Sequence, residues 1–332
     1  MTDRETKLLE RWRAERPMYA AWGNFVSATL TDAIAEEIKP TAVELFLRIP
    51  IRPRTKDESS LLTKAFRRGK PYADPYNDIE DKVGLRVVVL VSSDIKVVER
   101  VIKRCPNWTA VLARDYEEER RQRPYEFDYQ SVHYIVRSKE ELTFDDVIVE
   151  AGKPCEIQVR TLLQHAYSEL THDTIYKPSV QASPEVKRSA AKSMALMEAT
   201  DDYFMRVREW LDAALAPSRL VSAAVDRLYP SFTGLEPQPS PLDTLLIDHF
   251  GQWAKEGFEE NLKQFLHDKA FLADRIRERA PTDLLFRQPA ILLVYWAIKV
   301  APRGAPENGP LTDQELGPIY SDLGLARAAA KG

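Results

Sequence analysis

Three short stretches of this 332-residue sequence carry residues at spacings that could do chemistry. The first is "RTKDESSLLTK", in which Lys56, Ser60 and Lys64 recur every fourth residue. On a helix that spacing sets an ammonium, a hydroxyl and a second ammonium in one row, with Arg54 at the strand end that feeds it. Seven basic residues (Arg52, Arg54, Lys56, Lys64, Arg67, Arg68, Lys70) stand here against two acidic ones, Asp57 and Glu58. A basic run alone reads as a solvated helix face. A row of donors beside a helix N-terminus suits a polyphosphate, because dipole and lysines act together.

A phosphate clamp implies a metal, and two carboxylates are placed to hold one. Asp81 opens "DKVGLR", directly before an apolar run, and Glu156 sits on the polar face of "CEIQVR". Magnesium takes one or two protein carboxylates and completes its shell with phosphate oxygens and water. Read separately, Asp81 is a turn residue ahead of Gly84 and Glu156 an exposed strand charge. The third stretch is "FDYQSVHYIV", Phe127 to Val136, where strand alternation places Tyr129, Ser131 and His133 on one face and Gln130, Val132 and Tyr134 on the other. Tyrosine and histidine are ordinary strand residues whose polar tips find core partners.

These residues need a sheet to hold them. "VGLRVVVLV", Val83 to Val91, is a β-branched run of the kind found in a strand buried on both faces. Further strands are expected at "YQSVHYIV", at "PCEIQVRT" (Pro154 to Thr161) and at "VELFLRIPIR" (Val43 to Arg52), the last interrupted by Pro50. A helix is expected from about Asp57 to Arg68. Residues from about Asp3 to Lys39 read as two helices separated by Pro17 and closed by Pro40, and residues 114–127, "RDYEEERRQRPYEF", as a charged loop. From Ser183, a good N-cap, a long helix runs to about Leu215 with Ala190, Met194, Met197, Phe204, Val207 and Leu211 on one stripe, and a shorter helix follows. The expected fold is α/β (α+β): a mixed sheet flanked by helices, followed by a helical C-terminal domain.

Taken together and in order, the motifs resemble the synthetase domain of the RelA/SpoT alarmone synthetases. They are R-x-K-x3-S-x3-K (Arg54, Lys56, Ser60, Lys64), D-x-x-G-x-R (Asp81, Gly84, Arg86), Y-x-S-x-H (Tyr129, Ser131, His133), E-I-Q-V-R-T (Glu156 to Thr161) and "QHAYSELTHDTIYK", ending at Tyr176 and Lys177. The resemblance covers about Thr41 to Pro178. It implies a nucleotidyltransferase-like core and a pyrophosphokinase that moves the β,γ-diphosphate of ATP to a ribose 3′-hydroxyl, leaving AMP. By the same resemblance Arg54 and Arg86 sandwich the adenine, while Lys56, Ser60 and Lys64 grip the ATP phosphates. Asp81 and Glu156 hold Mg2+, Glu156 is also the candidate base, Tyr129 stacks on the acceptor base, and His133 and Gln158 steady the acceptor side.

The match departs at the acceptor. Family members commonly read K-x-N-G-Y before the tyrosine, whereas this sequence reads "YEFDY", with Tyr125, Phe127 and Asp128 in place of Lys, Asn and Gly; Tyr167 replaces the tryptophan of H-A-W. The acceptor is therefore GDP or GTP by resemblance to most of the family. The alternative is the tRNA 3′ end, as in the toxic members of the superfamily, where aromatics could stack on an unpaired base. A third reading, from a different class, is a non-catalytic nucleotide-binding module. The hydrolase half of long family members is not legible, since His172-Asp173 and His267-Asp268 do not supply its metal ligands.

Composition bounds the rest. Hydrophobic residues make up 44% and charged residues 30%, as in a globular protein, and the net charge of −4 gives no general reason to expect nucleic acid. Cys105 and Cys155 have no metal-ligand spacing, and no apolar run has membrane-span length, so a reducing cytoplasm and no membrane partner are expected. "YPSFTGLEPQPSPL", Tyr229 to Leu242, holds four prolines and reads as a linker. The expected organisation is N-terminal helices over 1–40, the synthetase domain over 41–228, the linker over 229–242 and an accessory or regulatory domain over 243–332. That last segment reads as an oligomerisation element, giving a homo-oligomer, or as a tethered inhibitor or sensor that a regulator displaces.

Overall fold

The computed structural model describes residues 2–127, 131–174, 183–238 and 240–326. Apolar residues at Trp12, Tyr19, Trp22, Val26, Leu30 and Ile34 recur at helical spacing and form the buried stripe of α1 (Asp3–Glu37). A capping box between Thr2 and Glu5 starts this helix. It is one helix, not two: Pro17 lies inside it. A mid-helix proline removes a hydrogen bond and costs about 3 kcal/mol in isolation. Packing of Trp12 and Tyr19 on either side, with ring centroids 5.6 Å apart, outweighs that loss.

The chain then runs through α2 (Val43–Phe46), β1 (Arg54–Thr55), α3 (Glu58–Phe66), α4 (Pro75–Asp78), β2 (Val83–Val89), α5 (Ser92–Arg104), β3 (Trp108–Arg114), α6 (Tyr116–Gln122), β4 (Val132–Ser138), β5 (Leu142–Phe144), β6 (Val147–Val149), β7 (Pro154–Thr161) and α7 (Leu162–Thr174). Five strands form one sheet in the order β1-β2-β7-β4-β3, in which β2 and β7 are parallel and every other pair antiparallel. The short β5 and β6 pair separately. Leu85, Val87, Val89, Ile157, Val159, Val132, Tyr134 and Val136 are buried in the same core as α1 and α5. The alternate residues of the same strands form the opposite face.

Two expectations are corrected in this region. Val43 to Arg52 does not form a strand: Val43–Phe46 is a short helix, and only Ile49 makes a bridge, to Val88. The charged stretch expected as a loop contains α6, whose N-terminus is capped by Asp115.

Gly23 lets α1 approach the sheet. A Cβ there would lie 2.7 Å from Val83 Cγ2 and 2.8 Å from Pro53 Cβ. Neither neighbour is the far end of a flexible chain, so Gly23→Ala is expected to lower the stability of the fold by about 1–3 kcal/mol through overpacking. A thermal or urea melt checks this; an unchanged midpoint would show that α1 can slide away freely.

The chain divides into two compact units, 1–207 and 208–332. The division falls within α8 (Pro184–Thr233), not in the proline-rich stretch. Ser183 does cap this helix, its Oγ accepting from the Val186 N–H at 3.4 Å, but the helix runs past Leu215 to Thr233. Its stripe is not a continuous core seam, since Met194 is buried whereas Phe204 is exposed. The first residues of the expected linker are also helical: Tyr229 is fully buried in the second unit, and its hydroxyl donates to the Phe286 carbonyl at 2.7 Å. The second unit continues with α9 (Pro241–Phe250), α10 (Phe258–Asp268), α11 (Leu272–Arg279), α12 (Ile291–Val300) and α13 (Asp313–Leu323). The apolar run at Ile291 to Val300 forms its central helix, α12. No helix among the described residues is long and apolar enough to cross a membrane, and both cysteines are free and buried.

Candidate active site

Register decides which side chains meet. Gly84 lies opposite Glu156 and Arg86 opposite Gln158 across the parallel β2–β7 pair. Arg54 on β1 pairs with Gly84, and His133 on β4 pairs with Gln158. Paired residues share a face and alternate residues repeat it, so Arg54, Arg86, His133, Glu156 and Gln158 all belong to the face away from α1. Gly84 keeps that face open: a Cβ there would sit 3.3 Å from the Glu156 carbonyl oxygen and 3.8 Å from its Oε2.

Asp81 lies two residues ahead of β2, and the lysines converge on it. Lys56 Nζ donates to Asp81 Oδ2 at 2.9 Å and Lys64 Nζ donates to the same oxygen at 2.7 Å. The expected helical row is only partly realised, because α3 begins at Glu58 with Asp57 as its cap and Lys56 precedes it. Lys56 is held instead by its backbone N–H, which donates to the Lys82 carbonyl at 2.8 Å. Ser60 is exposed on the first turn of α3, its N–H bound to the Asp57 cap, and no contact joins it to the lysines. Burial alone would raise the Asp81 carboxyl, but the two ammonium groups hold it below the usual carboxylate range.

Glu156 is the hub of the second cluster. Its Oε1 lies 3.0 Å from His133 Nδ1, and its Oε2 accepts from Gln158 Nε2 at 2.8 Å. An ionised carboxylate only accepts, so the Nδ1 of a neutral ring carries the proton and Nε2 accepts from Ser131 Oγ. Arg160 Nη2 donates to Gln158 Oε1, which completes a chain Ser131–His133–Glu156–Gln158–Arg160. Burial pushes the Glu156 carboxyl up, yet the hydrogen bonds from His133 and Gln158 bring it below its ordinary value, and Asp81 opposes them. The Asp81 charge thus reaches the Glu156 carboxylate.

This donor set fits a divalent cation. The buried Asp81 Oδ1 has no hydrogen-bond partner, while Oδ2 takes both lysines. Among the described residues no group of three or more His, Cys, Asp and Glu stands together as a metal cage. Two carboxylates with lysines beside them suit an ion that draws its remaining ligands from phosphate and water.

Arg86 is exposed and its Nη1 bonds Glu169 Oε1 on α7 at 2.9 Å, which fixes where its guanidinium lies. Tyr129 and Asp128 lie outside the described residues, as do Tyr176 and Lys177. The departures around them remain visible in part: Tyr125 is 93% exposed and Phe127 is 38% exposed. Tyr167 is buried and its hydroxyl-bearing ring faces the fold. Sequence reasoning gave no role to Ser131, Arg160 or Glu169. The first two were legible as alternate residues of their strands, but Glu169 carried no signal, since its partner is 83 positions away.

Residues 53–181 match the family described as "Region found in RelA / SpoT proteins". A GTP pyrophosphokinase of Bacillus subtilis strain 168, YjbM, is 27% identical over 163 residues, covering 49% of this chain and 73% of that protein. A second from the same organism, YwaC, is 24% identical and covers 48% and 74%. In fold, the chain is similar to the small alarmone synthetase 1 from Bacillus subtilis, with a TM-score of 0.51 and 21% identity over 61% of this chain and 99% of that one. A GTP pyrophosphokinase family protein from Streptococcus pneumoniae gives a TM-score of 0.52 and 22% identity over 62% and 97%. Every motif that gathers on the open face of the sheet lies inside the matched region, so it is residues 53–181 of this chain that are similar to the region found in RelA/SpoT proteins.

Proposed function

We propose that this chain is an ATP-dependent pyrophosphokinase that transfers the β,γ-diphosphate of ATP to a ribose 3′-hydroxyl. The observation that carries the reading is the convergence of Lys56 and Lys64 on one oxygen of Asp81 while the other oxygen is left without a donor. Phosphoryl transfer asks for charge neutralisation and alignment more than for covalent work, and this cluster supplies both. The acceptor 3′-oxygen bonds to the β-phosphorus, the bond from that phosphorus to the oxygen bridging it to the α-phosphate breaks, and AMP leaves with the electron pair. The hydroxyl proton passes to Glu156, whose other neighbour His133 and then Ser131 lead away from the reacting atoms. Mg2+ held by Asp81 and Glu156 would neutralise phosphate charge. Arg54 and Arg86, diagonal neighbours on one face, would stack on the adenine in this reading.

A guanosine nucleotide, GDP or GTP, is the acceptor in this reading, supported by the names of YjbM and YwaC. A second reading rests on Tyr125 and Phe127: exposed aromatics ahead of the acceptor strand suit stacking on the unpaired 3′ end of a tRNA. Residues 208–332 are an accessory domain in either case. Incubating the full chain with magnesium, γ-labelled ATP and GDP, GTP or deacylated tRNA discriminates the two. Label in a guanosine tetra- or pentaphosphate is the expected result, label on tRNA selects the second reading, and label in neither overturns both.

A further inference from the structure

A cavity of about 240 Å3 opens in the first unit between the start of α5, α6 and the Glu198–Met205 stretch of α8, and shares no residue with the Asp81–Glu156 site. Liquid water occupies about 30 Å3 per molecule, so there is room for a chain of several heavy atoms. Six charged side chains line it: Lys96 and Arg120 against Glu117, Glu198, Asp201 and Asp202. Both cations are already engaged, Lys96 with Glu117 at 2.9 Å and Arg120 with Glu198 at 2.6 Å. Asp201 is 6% exposed; its Oδ2 accepts from Thr161 Oγ1 at 2.7 Å, while its buried Oδ1 has no hydrogen-bond partner. Burial and the neighbouring Asp202 push its carboxyl up to about 6, as a buried acid without a counter-charge requires. Asp202 itself is exposed at the rim.

A buried carboxylate oxygen without a donor is costly, and a donating cation relieves that cost. We infer that this cavity binds a short aliphatic diamine of the polyamine class, one ammonium on Asp201 Oδ1 and the other at Asp202. Two positive ends match two carboxylates, one deep and one at the rim, and the alkyl chain can lie against Tyr116 and Met205. The deep ammonium would also brace Thr161, the last residue of β7, against α8.

The test uses putrescine with the full chain carrying 13C-methyl methionine. Met205 lines the cavity, its Sδ accepting from Ser92 Oγ at 2.8 Å, and is one of five methionines. A saturable shift of the Met205 methyl is expected, with affinity reduced about tenfold or more in Asp201→Asn, and about threefold in Asp202→Ala, whose exposed site leaves the fold alone. n-Butylamine, with one ammonium, is expected to bind about tenfold more weakly. No saturable Met205 shift, equal binding by Asp202→Ala and Asp201→Asn to that of the unaltered chain, or equal binding of n-butylamine would each overturn the assignment.

Discussion

Glu156→Gln is expected to slow pyrophosphoryl transfer by about a thousandfold or more while leaving the fold intact. A positioned general base contributes about 10²–10⁴ in rate, and the same change removes one carboxylate from the proposed magnesium site. Glutamine keeps the volume, and its amide oxygen can still accept from His133 Nδ1, whereas its amide nitrogen meets the Gln158 Nε2 donor and gives up that one bond. Single-turnover transfer of labelled phosphate from ATP, with nucleotide binding measured in parallel, separates chemistry from binding. Undiminished transfer would remove Glu156 from the reaction. Absent transfer in both forms, with nucleotide bound, would point to the non-catalytic module.

Asp81→Asn is expected to abolish activity to a similar degree and, unlike the first substitution, to cost stability. It leaves the Lys56 and Lys64 ammonium groups facing one another without their shared counter-charge, in a site where all three side chains are less than one-fifth exposed. Removing one member of a buried charged cluster costs about 3–5 kcal/mol, and partial solvent screening brings the expected loss here to about 2 kcal/mol. Adding Lys56→Met and Lys64→Met to Asp81→Asn is expected to recover most of that stability and none of the activity. Urea denaturation checks both steps; equal stability of the single and triple variants would show that the lysines do not feel each other. The pH dependence follows from the sign of the shift. The folded-state Asp81 carboxyl titrates below its ordinary value, so its contribution is fully present above the unfolded value of about 3.9 and is lost as pH falls through the folded one. The stability of Asp81→Asn is therefore expected to fall less steeply in acid.

The strands that carry the site were legible because each has a signature independent of the rest of the chain. Val83 to Val89 is a valine-rich run in which Arg86 is the one charged residue, and Pro154 to Thr161 alternates. What misled was context. Pro17 stops a helix by its local chemistry, yet here the aromatic packing of α1 carries the helix through it. Glu117, Glu118 and Glu119 read as loop charges, but after the Asp115 cap they complement a helix N-terminus. Within the site, spacing placed Lys56 and Lys64 on one helix; the structure brings them together by a backbone bond and a shared carboxylate instead. The partners of Glu156 depend on strand register, and that of Arg86 on where α7 returns over the sheet, neither of which a local pattern encodes.

The order of strands in the sheet also sets the order of assembly during synthesis. β7, the last strand of the sheet to be made, is its middle one, flanked by β2 and β4. Before Thr161 leaves the ribosome, β1–β2 and β3–β4 are two ribbons with no strand to join them. Glu156 arrives only with that strand, so the two carboxylates meet in the same event that closes the sheet. A nascent chain therefore holds an apolar gap between its ribbons until translation has passed β7. A ribosome stalled before this point carries an inert domain, and one stalled beyond it carries every strand of the sheet.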